Sequence, residues 1–284
     1  MTVPLHKQHA RTFDDNRFVY PVLSRRAKGL SIGVNLNPDK VCNFDCIYCQ
    51  VDRRSEAVTK FVEMDQLLDE LQAMLQLVTS GRLYDDERFA SVPEHLRRLN
   101  DIAFSGDGEP TTYRNFDEIV GRAADLRDAS AATDATLVLI TNASMFHRPE
   151  TARALEVFDS RHGEIWAKLD AGTSAHFQTV NRTKTPFARI LENITDAARV
   201  RPLVIQSLFM NIDGVAPSTD EIDAYCGRLN DVFVAGGRIK LVQVYTVART
   251  PAESFVTALE DDAVDRIASS VRARTGLPVD AYYK

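Results

Sequence analysis

The chain has 284 residues, of which 44% are hydrophobic and 26% charged. That balance belongs to a globular protein with a sizeable core and excludes a disordered or fibrous chain. Its 40 acidic residues outnumber 34 basic ones, for a net charge of −6, the reverse of what a protein needs to neutralise nucleic-acid phosphates, so general DNA binding is not expected. No run approaches the ~18 apolar residues of a membrane span. The opening MTVPLHKQHARTFDDNRF lacks the apolar centre of a secretion signal. Four cysteines in a chain of this length make no disulfide framework, and a cytoplasmic location away from any membrane is expected.

In chain order, residues 1–20 read as an N-terminal extension, 21–250 as one core, and 251–284 as a helical extension packed on it. The first β-rich run is 31–37. A helix is predicted over 64–78, where Leu67, Leu68, Leu71 and Leu75 form one stripe. A strand over 101–106 precedes a helix over 116–127, with Phe116, Ile119 and Leu126 aligned, and a third strand is expected at 135–141. Strands at 164–170, 203–210 and 239–247 then alternate with helices at 187–200 and 219–233, and a last helix spans 263–275. Thr219, ahead of two acidic residues, is the expected cap of the 219–233 helix. Six Val/Ile/Leu-rich strands, most followed by a helical stretch, imply buried parallel strands. The predicted fold is α/β, a partial (β/α)6 barrel with a mostly parallel sheet, whose ligands gather at the C-terminal ends of the strands.

The chemistry concentrates there. Cys42, Cys46 and Cys49 form a C-x3-C-x2-C loop directly after the first run. Thiolates select zinc, copper(I) or iron–sulfur clusters. Three in one short loop can hold three irons of a [4Fe–4S] cube and leave the fourth without a protein ligand. A structural zinc site of three Cys plus one more ligand is the alternative, although zinc sites commonly use two separated pairs. Cys226 stands about 180 residues away and reads as a small buried hydrophobe.

The stretch CNFDCIYC resembles the cluster loop of the radical S-adenosylmethionine (SAM) superfamily, with Tyr48 at the aromatic position that lies near the adenine of SAM. Residues 21–50 resemble, more narrowly, the branch that includes wyosine-type tRNA-modifying enzymes and their bacterial relatives. The resemblance implies a radical SAM core, a [4Fe–4S] cluster on the three cysteines, and SAM. It also implies a one-electron reductant such as flavodoxin or ferredoxin, and cleavage of SAM to a 5′-deoxyadenosyl radical that abstracts a substrate hydrogen. The loop FSGDGEPT (104–111) resembles the family's glycine-glycine-glutamate-proline motif, which contacts the SAM ammonium. Gly106, Asp107, Gly108 and Glu109 are then cofactor-binding residues, with Asp107 where the family has its first glycine.

Asn142 and Ser144 after the third strand can hydrogen-bond ribose or carboxylate oxygens, or cap a helix. Lys168 and Asp170 stand two apart in an otherwise apolar run, so their side chains share a face. They read as a buried ion pair, or as a catalytic pair in which Lys168 binds a carboxylate or adds to a carbonyl. Gln206 and Asn211 are further polar candidates, and Thr246 with Val247 corresponds to the family's adenine-contacting strand. Arg25, Arg26, Lys28, Arg53 and Arg54 flank the cysteine loop and read either as a solvated face or as a lip for an anionic substrate. The substrate classes left open are a tRNA base, a small metabolite, a peptide and a protein glycyl radical. Wyosine-forming relatives use a second cluster on additional cysteines, and only Cys226 is spare here. A non-catalytic iron–sulfur or zinc-binding protein is the reading from a different class.

Overall fold

The computed structural model describes residues 13–284 apart from Arg25, Ala27, Arg54 and Val58. The first twelve residues of the expected N-terminal extension, and two of the five arginines and lysines around the cysteine loop, thus lie outside the described residues. The chain divides into two compact units, one built from residues 1–42, 55–140 and 148–164, the other from 43–54, 141–147 and 165–284.

In the first unit, β1 (Val19–Ser24) runs antiparallel to β2 (Gly29–Val34). β2 is parallel to β3 (Leu99–Phe104), and β3 to β4 (Thr136–Thr141). Helix α1 (Met64–Thr79) follows the leucine stripe and buries Leu67, Leu68, Leu71 and Leu75. It also buries Glu70, whose carboxylate accepts the backbone N–H groups of Arg17, Phe18 and Val19 at 3.0, 2.8 and 3.1 Å. That acidic side chain fixes the entry to β1. α2 (Phe116–Asp128) presents Phe116, Ile119, Val120, Ala123 and Ala124 to the core. α3 (Pro149–Ser160), for which no helix was expected, is started by a proline at its first position.

The second unit holds β5 (Gly163–Lys168), whose first two residues belong to the first unit, then α4 (Ser174–Asn181) and α5 (Phe187–Val200). After them come β6 (Leu203–Leu208), β7 (Met210–Ile212), α6 (Thr219–Val234), β8 (Ile239–Tyr245), β9 (Val256–Ala258), α7 (Asp261–Thr275) and β10 (Val279–Tyr282). β5, β6, β8 and β10 pair in parallel in that order, and β7 with β9 makes a separate antiparallel pair. Each fully buried aliphatic side chain on α5, such as Ile190 at 1% or Ile194 at 0% exposure, contributes roughly 2 kcal/mol.

The expected strands and helices are found, and the architecture is mixed α/β with mostly parallel strands. Besides β1, α3 and α4, for which no element was expected, three details differ. The predicted strand 203–210 is two, β6 ending at Leu208 and β7 starting at Met210, with Phe209 N between them donating to Tyr245 O at 2.9 Å. The α6 cap is Ser218, one residue before Thr219, its side chain accepting from Glu221 N at 3.2 Å. The segment 251–284 contributes the strand β10 beside β8 as well as a helix. No helix among the described residues is long and apolar enough to cross a membrane.

Candidate functional site

In the first unit, the polar loops at the C-terminal ends of β2 and β3 are knitted together by two asparagines. Asn35 Oδ1 accepts the N–H groups of Asn37 at 3.0 Å and Asp107 at 3.1 Å, and Asn35 Nδ2 donates to Asp107 Oδ2 at 2.7 Å. An amide whose oxygen already takes two N–H groups has only donors left, and a carboxylate answers them. This accounts for Asp107 at a position where the resemblance expects glycine. The flanking glycines are demanded by the chain itself: a Cβ on Gly106 would lie 2.2 Å from Asn35 Oδ1, and one on Gly108 2.2 Å from the carbonyl oxygen of Val41. The close backbone approach expected of these glycines is therefore made, on that side, by the segment leading into Cys42. Glu109 is 3% exposed, and its Oε1 accepts from Thr111 N at 3.2 Å and Thr111 Oγ1 at 2.5 Å.

In the second unit, residues 43–53 form the cysteine loop and are pinned at every other residue. Asp45 N donates to Asn181 O (3.2 Å), Ile47 N to Val180 O (3.0 Å) and Cys49 N to Cys46 O (2.9 Å). Asn43 is locked by the loop after β4: its Nδ2 donates to Ser144 Oγ at 2.7 Å, and its Oδ1 accepts from Asn142 Nδ2 at 2.9 Å. Ser144 N in turn donates to Asn142 Oδ1 at 3.0 Å. The structure thus puts Asn142 and Ser144 to work holding the cysteine loop. Arg53, expected on a solvated or substrate-facing surface, donates instead to Phe44 O at 3.1 Å and to Cys49 Sγ at 3.6 Å. Arg26 and Lys28 sit in the turn between β1 and β2. That is the N-terminal end of β2, the opposite end from the one that leads toward Cys42.

Asp170 is the hub of a buried network. Its Oδ2 accepts from Tyr48 Oη at 2.5 Å and Asn181 Nδ2 at 3.5 Å, and its Oδ1 from Leu208 N at 2.8 Å and Lys168 Nζ at 3.3 Å. Lys168 also donates to Tyr245 Oη at 2.8 Å, and its ammonium lies 5.0 and 5.3 Å from the ring centres of Tyr48 and Tyr245. Burial alone would lower the Lys168 pKa, but the Asp170 charge and Tyr245 outweigh it and raise it, so the side chain is a fixed cation. Burial and the Asp170 charge hold the Tyr48 phenol well above its ordinary range.

Asn181 Nδ2 reaches Cys46 Sγ at 3.4 Å. Desolvation pushes the Cys46 thiol up to about 12, with Asp170 adding and Asn181 opposing. Tyr48 and Ile47 bury themselves among Val180, Leu208, Met210, Val247 and Val256, which places Val247 in an apolar cluster behind the loop. Thr246 Oγ1 is used twice, donating to Phe209 O and accepting from Leu259 N at 2.8 Å each. Gln206 donates to Gln243 at 2.8 Å across β6 and β8, and Asn211 to Ala258 O at 2.9 Å. Cys226 is 2% exposed, a buried residue as expected.

The cysteine donor set fits an iron–sulfur cluster. Cys46 and Cys49 each receive an N–H donor at sulfur, the outer interaction that stabilises cluster thiolates. Asn181 and Arg53 supply these donors. Among the described residues no three His, Cys, Asp or Glu side chains gather around one point, whereas a cube takes each thiolate on its own iron. Sequence reasoning did not identify Asn35, Asn43 or Asn181, because a lone asparagine at a strand or helix end reads as turn or cap chemistry, nor Tyr245, whose role comes from Lys168 on another strand.

Residues 36–221 match the family described as the Radical SAM superfamily. A UPF0026 protein of Helicobacter pylori is 26% identical over 219 residues, covering 76% of this chain and 62% of that one. Among solved structures, Streptococcus suis SuiB bound to S-adenosylmethionine superposes with a TM-score of 0.59 at 11% identity, over 92% of this chain and 52% of that one. TYW1 with a lysine-pyruvate adduct bound gives 0.54 at 15%, over 87% and 74%. The chain spans less than two thirds of the length of the curated relatives it matches. These likenesses show the fold, the mostly parallel α/β architecture expected from the sequence.

Proposed function

The chain belongs to the radical SAM superfamily, and from that premise we propose that it is an enzyme holding a [4Fe–4S] cluster on Cys42, Cys46 and Cys49 and binding SAM. When bound, the two cofactors supply reductive cleavage of a carbon–sulfur bond and hydrogen abstraction from a substrate. The chain's own residues bind, orient and exclude water. Asn43, Arg53 and Asn181 hold the cysteine loop in place. Glu109, within a loop braced by Asn35 and Asp107, offers carboxylate oxygen to the SAM ammonium. Tyr48 and the backbone around Thr246 and Val247 form the adenine side, and Asn142 and Ser144 contribute through their grip on Asn43. Gln206, buried and bonded to Gln243, is the further cofactor-binding candidate on β6.

Lys168 acts as an anchoring cation beside Asp170. Two of its three N–H donors are committed, to Asp170 and Tyr245, and the side chain is 18% exposed, so the third can hold an anionic or carbonyl oxygen of the substrate. These two hydrogen bonds favour an anchoring cation over an adduct-forming amine. A tRNA base, the class suggested by the branch resemblance, is one of the substrate classes open beside a small metabolite, a peptide and a protein glycyl radical, and the electron that reduces the cluster comes from a flavodoxin or ferredoxin in the cytoplasm.

The observation that carries the reading is the pinned cysteine loop with N–H donors on two of its sulfurs. The test is anaerobic reconstitution. About four irons and four sulfides per chain are expected, with an electron-paramagnetic-resonance spectrum of the reduced cluster that changes when SAM is added. A spectrum indifferent to SAM would favour a non-catalytic iron–sulfur protein, and one tightly bound zinc with no sulfide would favour a zinc module.

A further inference from the structure

One acceptor in the first unit has no donor. Asn37 is 7% exposed, and its Oδ1 is buried with no hydrogen-bond partner among the described residues. The orientation of its amide is fixed by its neighbours. Thr112 Oγ1 gives its only proton to Glu109 O at 2.7 Å, so toward Asn37 it can only accept, and Asn37 must present Nδ2, at 3.2 Å. Flipping the amide would set oxygen against a hydroxyl with no proton left to give.

The usual local uses of this oxygen are also closed. Asn37 opens the turn Asn37–Pro38–Asp39–Lys40, closed by Lys40 N to Asn37 O at 2.9 Å. An asparagine at that place commonly folds its oxygen onto the backbone two residues on, but it is Asp39 whose Oδ1 takes a backbone N–H here, from Val41 at 3.1 Å. Lys40, the cation nearest in sequence, turns to Ser55, with Nζ 2.7 Å from its Oγ. Leaving a buried acceptor unmet costs about 1–3 kcal/mol, so a donor from outside the described residues is favoured there.

The surroundings name the donor's charge. A Cβ on Gly108 would lie 2.7 Å from Asn37 Cβ and Cγ, so the asparagine packs directly on the loop that carries the carboxylates of Asp107 and Glu109. One amide oxygen and two carboxylates on abutting loops, with the local lysine engaged elsewhere, suit a cationic nitrogen. We propose that Asn37 Oδ1 is a further ligand-binding acceptor, taking an N–H of the amino group of bound SAM beside Glu109. This rests on the radical SAM reading above. It adds a residue outside the glycine loop and explains its burial.

The test compares SAM with its analogue lacking the amino group, by equilibrium dialysis against the reconstituted full chain and its Asn37→Ala variant. The variant should bind SAM roughly ten- to a hundredfold more weakly and the deamino analogue as well as the unmodified protein does. Equal weakening toward both ligands, or none toward SAM, overturns the proposal by making Asn37 structural or idle. Should the variant lose its cluster, a crystal structure of the unmodified protein with SAM decides. An amino nitrogen within about 3.2 Å of Asn37 Oδ1 supports the assignment, and a different donor there overturns it. If the unmodified protein binds no SAM at all, the radical SAM reading fails first, and that outcome is distinct from either of these.

Discussion

Asp101 gives a prediction whose magnitude follows from the structure. It sits on β3, 5% exposed, with Ser31 Oγ donating to its Oδ2 at 2.9 Å. Burial pushes its carboxyl from 3.8 up to about 7, although the Ser31 hydrogen bond and the Arg26 charge oppose the rise. A carboxyl whose folded-state pKa is raised is favoured in its protonated form by folding. Stability is therefore undiminished below the unfolded pKa near 4, falls as pH rises from there to about 7, and is level above. The full separation corresponds to on the order of 4 kcal/mol, and the part between pH 5 and 8 to about 2–3 kcal/mol.

Asp101→Asn keeps an acceptor for Ser31 and removes the titration. Its advantage over the unmodified protein should grow by about 2–3 kcal/mol between pH 5 and pH 8, measured by anaerobic urea unfolding at each pH. A stability difference that is constant across that range, or a variant less stable at pH 8 than at pH 5 relative to the parent, would refute the burial argument.

Other expectations concern the site. Gly108→Ala puts a methyl 2.2 Å from the Val41 carbonyl, so the segment before Cys42 must shift, and iron bound per chain after reconstitution should fall by at least half. Tyr48→Phe removes the 2.5 Å bond to Asp170. Because the acceptor is a carboxylate, about 1.5–3 kcal/mol of stability should go with it, read as a lower urea midpoint with unchanged slope. Glu221→Gln weakens the acceptor that holds Gly172 N at 2.5 Å and Thr173 Oγ1 at 2.6 Å. A loss of about 1–2 kcal/mol is expected, with faster amide exchange at Gly172 and Thr173.

Much of this was legible in the sequence for physical reasons that particular segments make plain. α1 and α5 begin where the apolar stripe begins, and α5 ends with it at Val200, because a 3.6-residue period over four turns is a strong signal. α4, eight residues with His, Gln and Asn among its apolar positions, carries too little periodicity to stand out. β10 is four residues at the chain end, and only its parallel pairing with β8 makes it a strand.

The site divides in the same way. Cys42, Cys46 and Cys49 announce themselves by spacing and Glu109 by the resemblance of its loop to a family motif, and the Lys168–Asp170 contact follows from side chains two apart, even though β5 ends at Lys168 and Asp170 lies beyond it. The asparagines do not, since their roles come from tertiary partners 50 to 135 residues away, as with Asn193 Nδ2 on Ala143 O and Asn181 Nδ2 on Cys46 Sγ. Of the described basic residues Lys28 is exposed, as a solvated face expects, whereas Arg53 serves Cys49 and Phe44, a role that charge in a sequence does not reveal.

The central claim is a cluster with one iron left for SAM. It is tested most directly by incubating the reconstituted, dithionite-reduced protein with SAM and quantifying 5′-deoxyadenosine and methionine, beside the Cys46→Ala variant. The account predicts both products in equal amounts from the unmodified protein and neither from the variant; no cleavage by the unmodified protein carrying its full complement of iron, or undiminished cleavage by the variant, would contradict it.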